Sequence, residues 1–267
     1  MFRLTTLAAI CAGACSTAAL GSALTPLLEK HTVARGGRAA IEAVRAVEID
    51  LRITEHEFTF DGTYMAEREG RMRIDVYSDG RRVYTEGLDG IRAWSMAADA
   101  REGTPSPPAA AAALRHDLEF PFKLYGLHET TSRGHRLRRL EDETLDGVTY
   151  NVVQLTLNDG HEVKYYFKDC GLIERDRQRR ALHVEVDPRP QWIETRYADY
   201  RAVAGVMYPF RQSERVVATG ELLSSSVVKS IRVNPPLDEQ WFERPVASDG
   251  LRRGSLRGVG RSADTWL

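Results

Sequence analysis

Apolar residues recur at helical spacing near the start of the chain and then, from Val47, at every second position. Val47, Ile49, Leu51 and Ile53 alternate with Glu48, Asp50, Arg52 and Thr54, a pattern that predicts a half-buried strand. Before it, Leu24, Leu27, Leu28 and Val33 form a helical stripe with Pro26 in its first turn. Gly36-Gly37 ends that helix and bends the chain, and Ile41 and Val44 mark a second helix through RAAIEAVRAV.

The two-residue period then repeats. Phe58, Phe60 and Tyr64 share one face of FTFDGTYMAERE. In RMRIDVYS, Met72, Ile74 and Val76 face one way and Arg73, Asp75 and Tyr77 the other. RRVYTEG and IRAWSM flank Asp89-Gly90, a strong hairpin signal. The rhythm stops at 101–134: a Pro-rich loop, an Ala-rich helix, and an apolar run with Leu118, Phe120, Phe122, Leu124, Tyr125 and Leu127. That run is too apolar for an exposed loop, and the Pro-rich stretch offers slack, so it is expected to act as a movable cover. Strands then resume. Val153, Leu155 and Leu157 form one face, and Val163, Tyr165 and Phe167 another. Turns fall at Asp146-Gly147, Asn158-Asp159-Gly160, Cys170-Gly171, Val203-Ala204-Gly205 and Thr219-Gly220, and PPLDEQWFERP closes with a short helical turn.

These signals predict a mainly β (α+β) chain: a curved antiparallel incomplete barrel of about ten or eleven strands, with a few helices covering its open side. A sheet this long must curl or pack against something. Its large apolar face has few helical segments to cover it, which leaves room for a ligand. The same side chains are also able to fill a solid core. Trp94 and Trp192, in strands, and Trp241, in the closing turn, read as core residues.

Composition narrows the function classes. The chain has 267 residues, 42% hydrophobic and 28% charged, with a formal net charge of -1, so no strong field draws it to nucleic acid or acidic lipid. Residues 1–23 have the layout of a secretory signal peptide: Arg3, an Ala/Leu-rich run, then Gly21-Ser22-Ala23. Cleavage there gives a periplasmic domain over 24–245. The alternative is a lipoprotein-type box, Ala12-Gly13-Ala14-Cys15, which would anchor the chain to the envelope membrane through Cys15. The Gly/Arg/Ser-rich residues 246–267 read as a disordered tail. With Cys11, Cys15 and Cys170 alone, no internal disulfide framework is possible.

Candidate chemistry is sparse. His183, Glu185 and Asp187 alternate along one strand face, but no second ligand cluster supports them, so no metal and no cofactor is expected. His161 is accounted for by its hairpin turn, Glu141-Asp142-Glu143 by a solvated charge run, and Cys170 has no His near it in sequence. The chain contains no P-loop, dinucleotide fingerprint, G-x-S-x-G or H-E-x-x-H, so no enzymatic activity is expected.

The order of five phrases carries a resemblance: LLEKHTVARGGRAAIEAVRAVEIDLRI, RMRIDVYSDGRRVYTEGLDGIRAWSM, GVTYNVVQLTLNDGHEVKYYFKDCGLIERD, YADYRAVAGVMYPFR and IRVNPPLDEQWFERP. Over residues 24–245 the chain resembles the LolA/LolB-like periplasmic lipoprotein-carrier superfamily, whose members are often labelled outer-membrane lipoprotein-sorting proteins. The resemblance implies a half-barrel plugged by helices, with a cavity between them for acyl chains or other apolar ligands. Phe58, Phe60, Tyr64, Met72, Ile74, Val76, Val153, Leu155, Val163, Tyr165 and Phe167 are then candidate lining residues, and Phe122, Leu124 and Leu127 the lid. The expectation is an exported protein that captures a lipid, a lipoprotein acyl chain or a similar apolar ligand and hands it to an envelope partner protein. The alternatives are a non-catalytic sensing or interaction module with a vestigial cavity and, less favoured, an envelope enzyme.

Overall fold

In the computed structural model, which describes residues 14–181 and 189–246, the alternating segments form one antiparallel sheet. Its strands are β1 (Ala46–Glu55), β2 (Phe58–Glu67), β3 (Arg71–Ser78), β4 (Arg81–Asp89), β5 (Ala93–Ala97), β6 (Thr104–Pro105) and β7 (Arg136–Arg139). They continue as β8 (Glu143–Leu145), β9 (Val148–Thr156), β10 (Glu162–Phe167), β11 (Ile173–Arg180), β12 (Gln191–Val203), β13 (Val206–Val216) and β14 (Leu222–Val233). Fourteen strands exceed the ten or eleven expected because β6, β7 and β8 have two, four and three residues, too few to show an alternation. Positive φ at both Asp146 and Gly147, and at both Ala204 and Gly205, gives these two hairpins the turn geometry that matches strand twist.

The sheet order is β6-β5-β4-β3-β2-β1-β14-β13-β12-β11-β10-β9-β7, with β8 pairing β9. The first and last long strands, β1 and β14, therefore pair in the middle of the sheet, and its two free edges are β6 and β7. The chain between those edges is the helical excursion that interrupted the sequence rhythm. It carries α3 (Pro108–Glu119) and a short 3-10 turn (Leu127–Glu129), so the cover of the open barrel is the segment that crosses from one edge to the other.

Helices α1 (Ala14–Ala34) and α2 (Arg38–Glu42) precede the sheet. α1 begins before the expected position, so Pro26 is interior and the helix runs through the expected processing point after Ala23. α2 ends at Glu42 because the chain enters β1 four residues later. Two apolar clusters fill the concavity. One joins β1–β5 and β13 to Ala111, Leu114, Leu118 and Leu124; the other joins β9–β12 to Leu27, Phe122 and Leu127. The excursion thus packs on both halves of the sheet. Residues 1–13 and 247–267, and with them Cys11 and most of the tail, lie outside the described residues, as do His183, Glu185 and Asp187.

Candidate functional site

Between the concave face and the covering segment runs a groove of two adjoining lobes, of about 310 and about 610 Å³. Phe122, Ile74, Asp117, Lys123, Gln212 and Glu214 belong to the walls of both. The smaller lobe has an apolar floor of Ile49, Leu51, Ile53, Tyr64, Ile74, Tyr208, Val228 and Ile231. The larger is walled by the small side chains Ala109, Ala112 and Ala113 of α3 and by polar residues of β11–β13. Both volumes fall in the range of small-ligand sites, about 300–1,000 Å³.

Strand register explains the polar side. Tyr165 pairs with Asp176, Asp176 with Thr195, Thr195 with Glu214, Glu214 with Ser224, and Ser224 with Glu55. One residue from each of β10, β11, β12, β13, β14 and β1 thereby forms a polar row straight across the concave face, since directly paired residues share a face. Arg180 donates to Glu214 at 2.5 Å, and Ser224 donates to Glu214 at 3.2 Å. At the head of the row Tyr197 donates to Asp176 at 2.5 Å. Asp176 Oδ1 and Tyr165 Oη are buried without a hydrogen-bond partner. Burial pushes the Asp176 carboxyl up to about 7, against the opposing pull of Tyr197 and Arg180. The phenols of Tyr165 and Tyr197 are pushed well above their ordinary range, chiefly by burial and next by the Asp176 carboxylate.

Phe122 sits over this end of the row. Its ring stacks on Tyr197 with centroids 4.1 Å apart and meets Tyr165 edge-on at 6.0 Å. The backbone beneath it is fixed from inside. Arg35, buried at 1% exposure, donates to the carbonyls of Pro121 and Phe122 and lies over the Tyr208 ring. Arg68 donates to the carbonyls of Val44, Ile41 and Leu124 and pairs with Glu129 at 2.5 Å. These bonds describe an anchored strap at 121–129, in the apolar run that the sequence suggested as a movable cover. Lys123 lies between Asp117, at 2.5 Å, and the face of Tyr64, at 4.3 Å.

At the outer rim, α3 meets the β9–β10 hairpin through histidines. His116 stacks on His161 at 4.2 Å and donates to Asp159 at 2.6 Å, while His161 bonds Gln178 at 3.0 Å. His161 is therefore more than a turn residue, and burial holds its imidazole below the ordinary value. Among the described residues no group of three or more His, Cys, Asp or Glu gathers closely enough to hold a metal ion, and no helix is long and apolar enough to cross a membrane.

The fourteen sequence candidates divide by position. Tyr64, Ile74 and Phe122 line the groove. Met72, Leu124, Leu127, Val153, Leu155, Val163, Tyr165 and Phe167 are buried in the two clusters that surround it. Phe60 and Val76 are half-buried at the ends of their strands, and Phe58, at 58% exposure, stacks on Phe60 at 6.3 Å on the outer end of β2. Of the tryptophans, Trp94 is buried and donates to the carbonyl of Phe242 at 2.9 Å. Trp192 and Trp241 are exposed, contrary to expectation: Trp192 is the second residue of β12, and Trp241 stands on the closing 3-10 turn. Glu143, expected to be solvated, accepts from Tyr166 at 2.9 Å and from Lys164 at 3.1 Å. Cys170 is exposed. The sequence reading missed the floor from β1, β13 and β14 and, apart from Tyr165, the polar row. The alternation of Ile49, Leu51 and Ile53 was the signal available for the floor.

No family model and no curated protein matches the sequence. Solved structures do match in fold. A LolA superfamily protein from Nitrosomonas europaea is 12% identical, with 82% of this chain and 96% of that one covered and a TM-score of 0.53. A DUF1329 family protein from Desulfovibrio piger is 10% identical, with 82% and 96% covered and a TM-score of 0.54. A putative outer membrane lipoprotein-sorting protein domain from Vibrio parahaemolyticus is 10% identical, with 80% and 95% covered and a TM-score of 0.52. At these identities the likeness is one of fold, and the chain has a LolA-like fold.

Proposed function

We propose that this chain is an exported, non-enzymatic carrier that holds the apolar part of a lipid, or of a lipid-bearing protein, in the groove under Phe122 and passes it to an envelope partner. The observation that carries the reading is the groove itself, floored by Ile49, Leu51, Ile53, Tyr208, Val228 and Ile231 and roofed by a strap bonded to the barrel. An all-β sheet with a fully packed interior would leave no such space. The likeness in fold to a lipoprotein-sorting domain supports the same reading. An acyl chain laid on this floor gains about 0.8 kcal/mol per buried methylene. Because the backbone of 121–124 is anchored, ligand uptake moves the side chain of Phe122 and the α3 wall rather than the strap.

Two measurements test it. The purified protein should enhance the fluorescence of N-phenyl-1-naphthylamine, and solvent extraction of protein purified from its own envelope should release a stoichiometric lipid. A protein that neither binds the probe nor releases lipid is an interaction module with a vestigial cavity.

A further inference from the structure

We propose that the polar row is a head-group subsite: the carried molecule is an amphiphile whose uncharged, hydroxyl-bearing head binds between Asp176 and Tyr165 while its chain lies on the apolar floor. This rests on the carrier reading and narrows it to a ligand class.

Three observations converge. The row crosses the concave face beside the apolar floor of the smaller lobe, and register, not chance proximity, aligns its six members. A purely hydrocarbon ligand gives no reason for it, since each buried polar group must find a partner or cost stability. Secondly, the row is incomplete at one end. Asp176 Oδ1 and Tyr165 Oη, on paired residues exposed by 1% and 0%, have no hydrogen-bond partner, whereas Asp176 Oδ2 is satisfied by Tyr197. A hydroxyl both donates and accepts, so one hydroxyl placed between them accepts from Tyr165 and donates to Asp176. Thirdly, the charges select against an anion. Asp176 and Glu214 lie in the row, and Arg180 beside it is already bonded to Glu214. A phosphate or carboxylate head would meet carboxyl groups in a dry site. The ring of Phe122, packed on Tyr197 and Tyr165, separates the subsite from the groove, and its rotation admits the head.

Four twelve-carbon amphiphiles separate head chemistry from chain burial: 1-monolauroylglycerol, methyl laurate, laurate and dodecylammonium. Each is titrated against the N-phenyl-1-naphthylamine complex of the full chain and of Tyr165→Phe and Asp176→Asn. Monolauroylglycerol should bind roughly tenfold more tightly than methyl laurate, about the worth of one or two hydrogen bonds. Tyr165→Phe, which deletes one oxygen and keeps the ring, should bring that ratio close to one, and Asp176→Asn should lower it as well if the variant folds. Equal binding of monolauroylglycerol and methyl laurate overturns the subsite, as does a preference that survives Tyr165→Phe. Tightest binding of dodecylammonium overturns the hydroxyl assignment in favour of a cation, and tightest binding of laurate overturns the charge argument. If the naphthylamine probe itself fails to bind, the carrier reading falls and this inference with it.

Discussion

Phe122 lies nearly face to face with Tyr197, its ring plane inclined by 27°, and it is the one residue of the strap that touches both the groove and the buried Asp176–Tyr197 pair. Replacing it therefore affects packing and binding together. Phe122→Asp places a carboxylate against two buried tyrosines with no cation in the stack, and should cost at least about 3 kcal/mol in urea unfolding together with most of the probe binding. Phe122→Leu keeps an apolar surface and should cost about 1–2 kcal/mol with partial binding. Equal melting temperature and equal probe binding in Phe122→Asp and the parent would mean that the strap does not roof this groove.

Arg35 holds the same strap from below. It is buried, its two terminal nitrogens donate to the carbonyls of Pro121 and Phe122, and among the described residues no carboxylate pairs with it. Burial accordingly lowers its pKa from the ordinary guanidinium value. Arg35→Met fills most of the volume but leaves two carbonyls without donors, at roughly 1–3 kcal/mol each. Arg35→Lys should rescue little, because one ammonium replaces a planar fork that reaches two acceptors. Hydrogen exchange should then rise first at 121–129. Exchange that rises uniformly instead would assign Arg35 to general core packing.

How far the sequence reached differs between the floor, the strap and the polar row. The strands of the first half and the strap were legible because their signals are local: alternation in β1–β4, and an apolar run between two sets of turns. The polar row was not. Its pairings span up to 169 positions, Glu55 with Ser224, and bulges at Asp50/Leu51, Tyr166/Phe167 and Glu214/Arg215 reset the register along the way. One missed bulge inverts a strand's faces. Within IERDRQRR, Asp176 reads as one charge among many; in the fold it points into the concavity, while Arg175 and Arg177 bind Glu194 on the opposite face.

Asp176 also sets a pH dependence. Its carboxyl titrates at about 7 in the folded chain and at the ordinary 3.8 when unfolded. Between these values the folded state holds the extra proton, so this residue's contribution is complete below about pH 4 and is lost as pH rises through 7. The loss is at most about 4 kcal/mol. His31 works in the opposite direction: burial lowers it from 6.5 to about 3, so its neutral form gains stability as pH rises from 3 to 6.5. The parent's own curve mixes the two. The stability of the parent minus that of Asp176→Asn removes the His31 contribution, and this difference should fall from pH 4 to 7 and stay level above 8. Parallel curves for the two proteins would show that Asp176 is ionised in the fold throughout.

Gly36 ties the helix break to the groove. It has φ +115°, and a Cβ there would stand 1.9 Å from the carbonyl oxygen of Gly205 in the β12–β13 turn. That oxygen belongs to backbone in a tight hairpin, held by the bond from Met207 N to the Arg35 carbonyl at 2.9 Å, so it has no cheap way to retreat. Gly37, with φ +90°, has open space around its missing Cβ. The pair separates two costs. Gly37→Ala should lose about 1–3 kcal/mol, the penalty for an L side chain at a positive φ with extended ψ, a region that glycine alone adopts readily. Gly36→Ala adds a steric clash to a similar penalty and should lose more than about 3 kcal/mol. It should also weaken probe binding, because the residue displaced first is its neighbour Arg35, which holds the carbonyls of Pro121 and Phe122. Urea unfolding and probe titration of the two variants side by side check both parts. Equal stabilities would show that the hairpin gives way, and a stability loss in Gly36→Ala with full probe binding would uncouple the helix break from the strap.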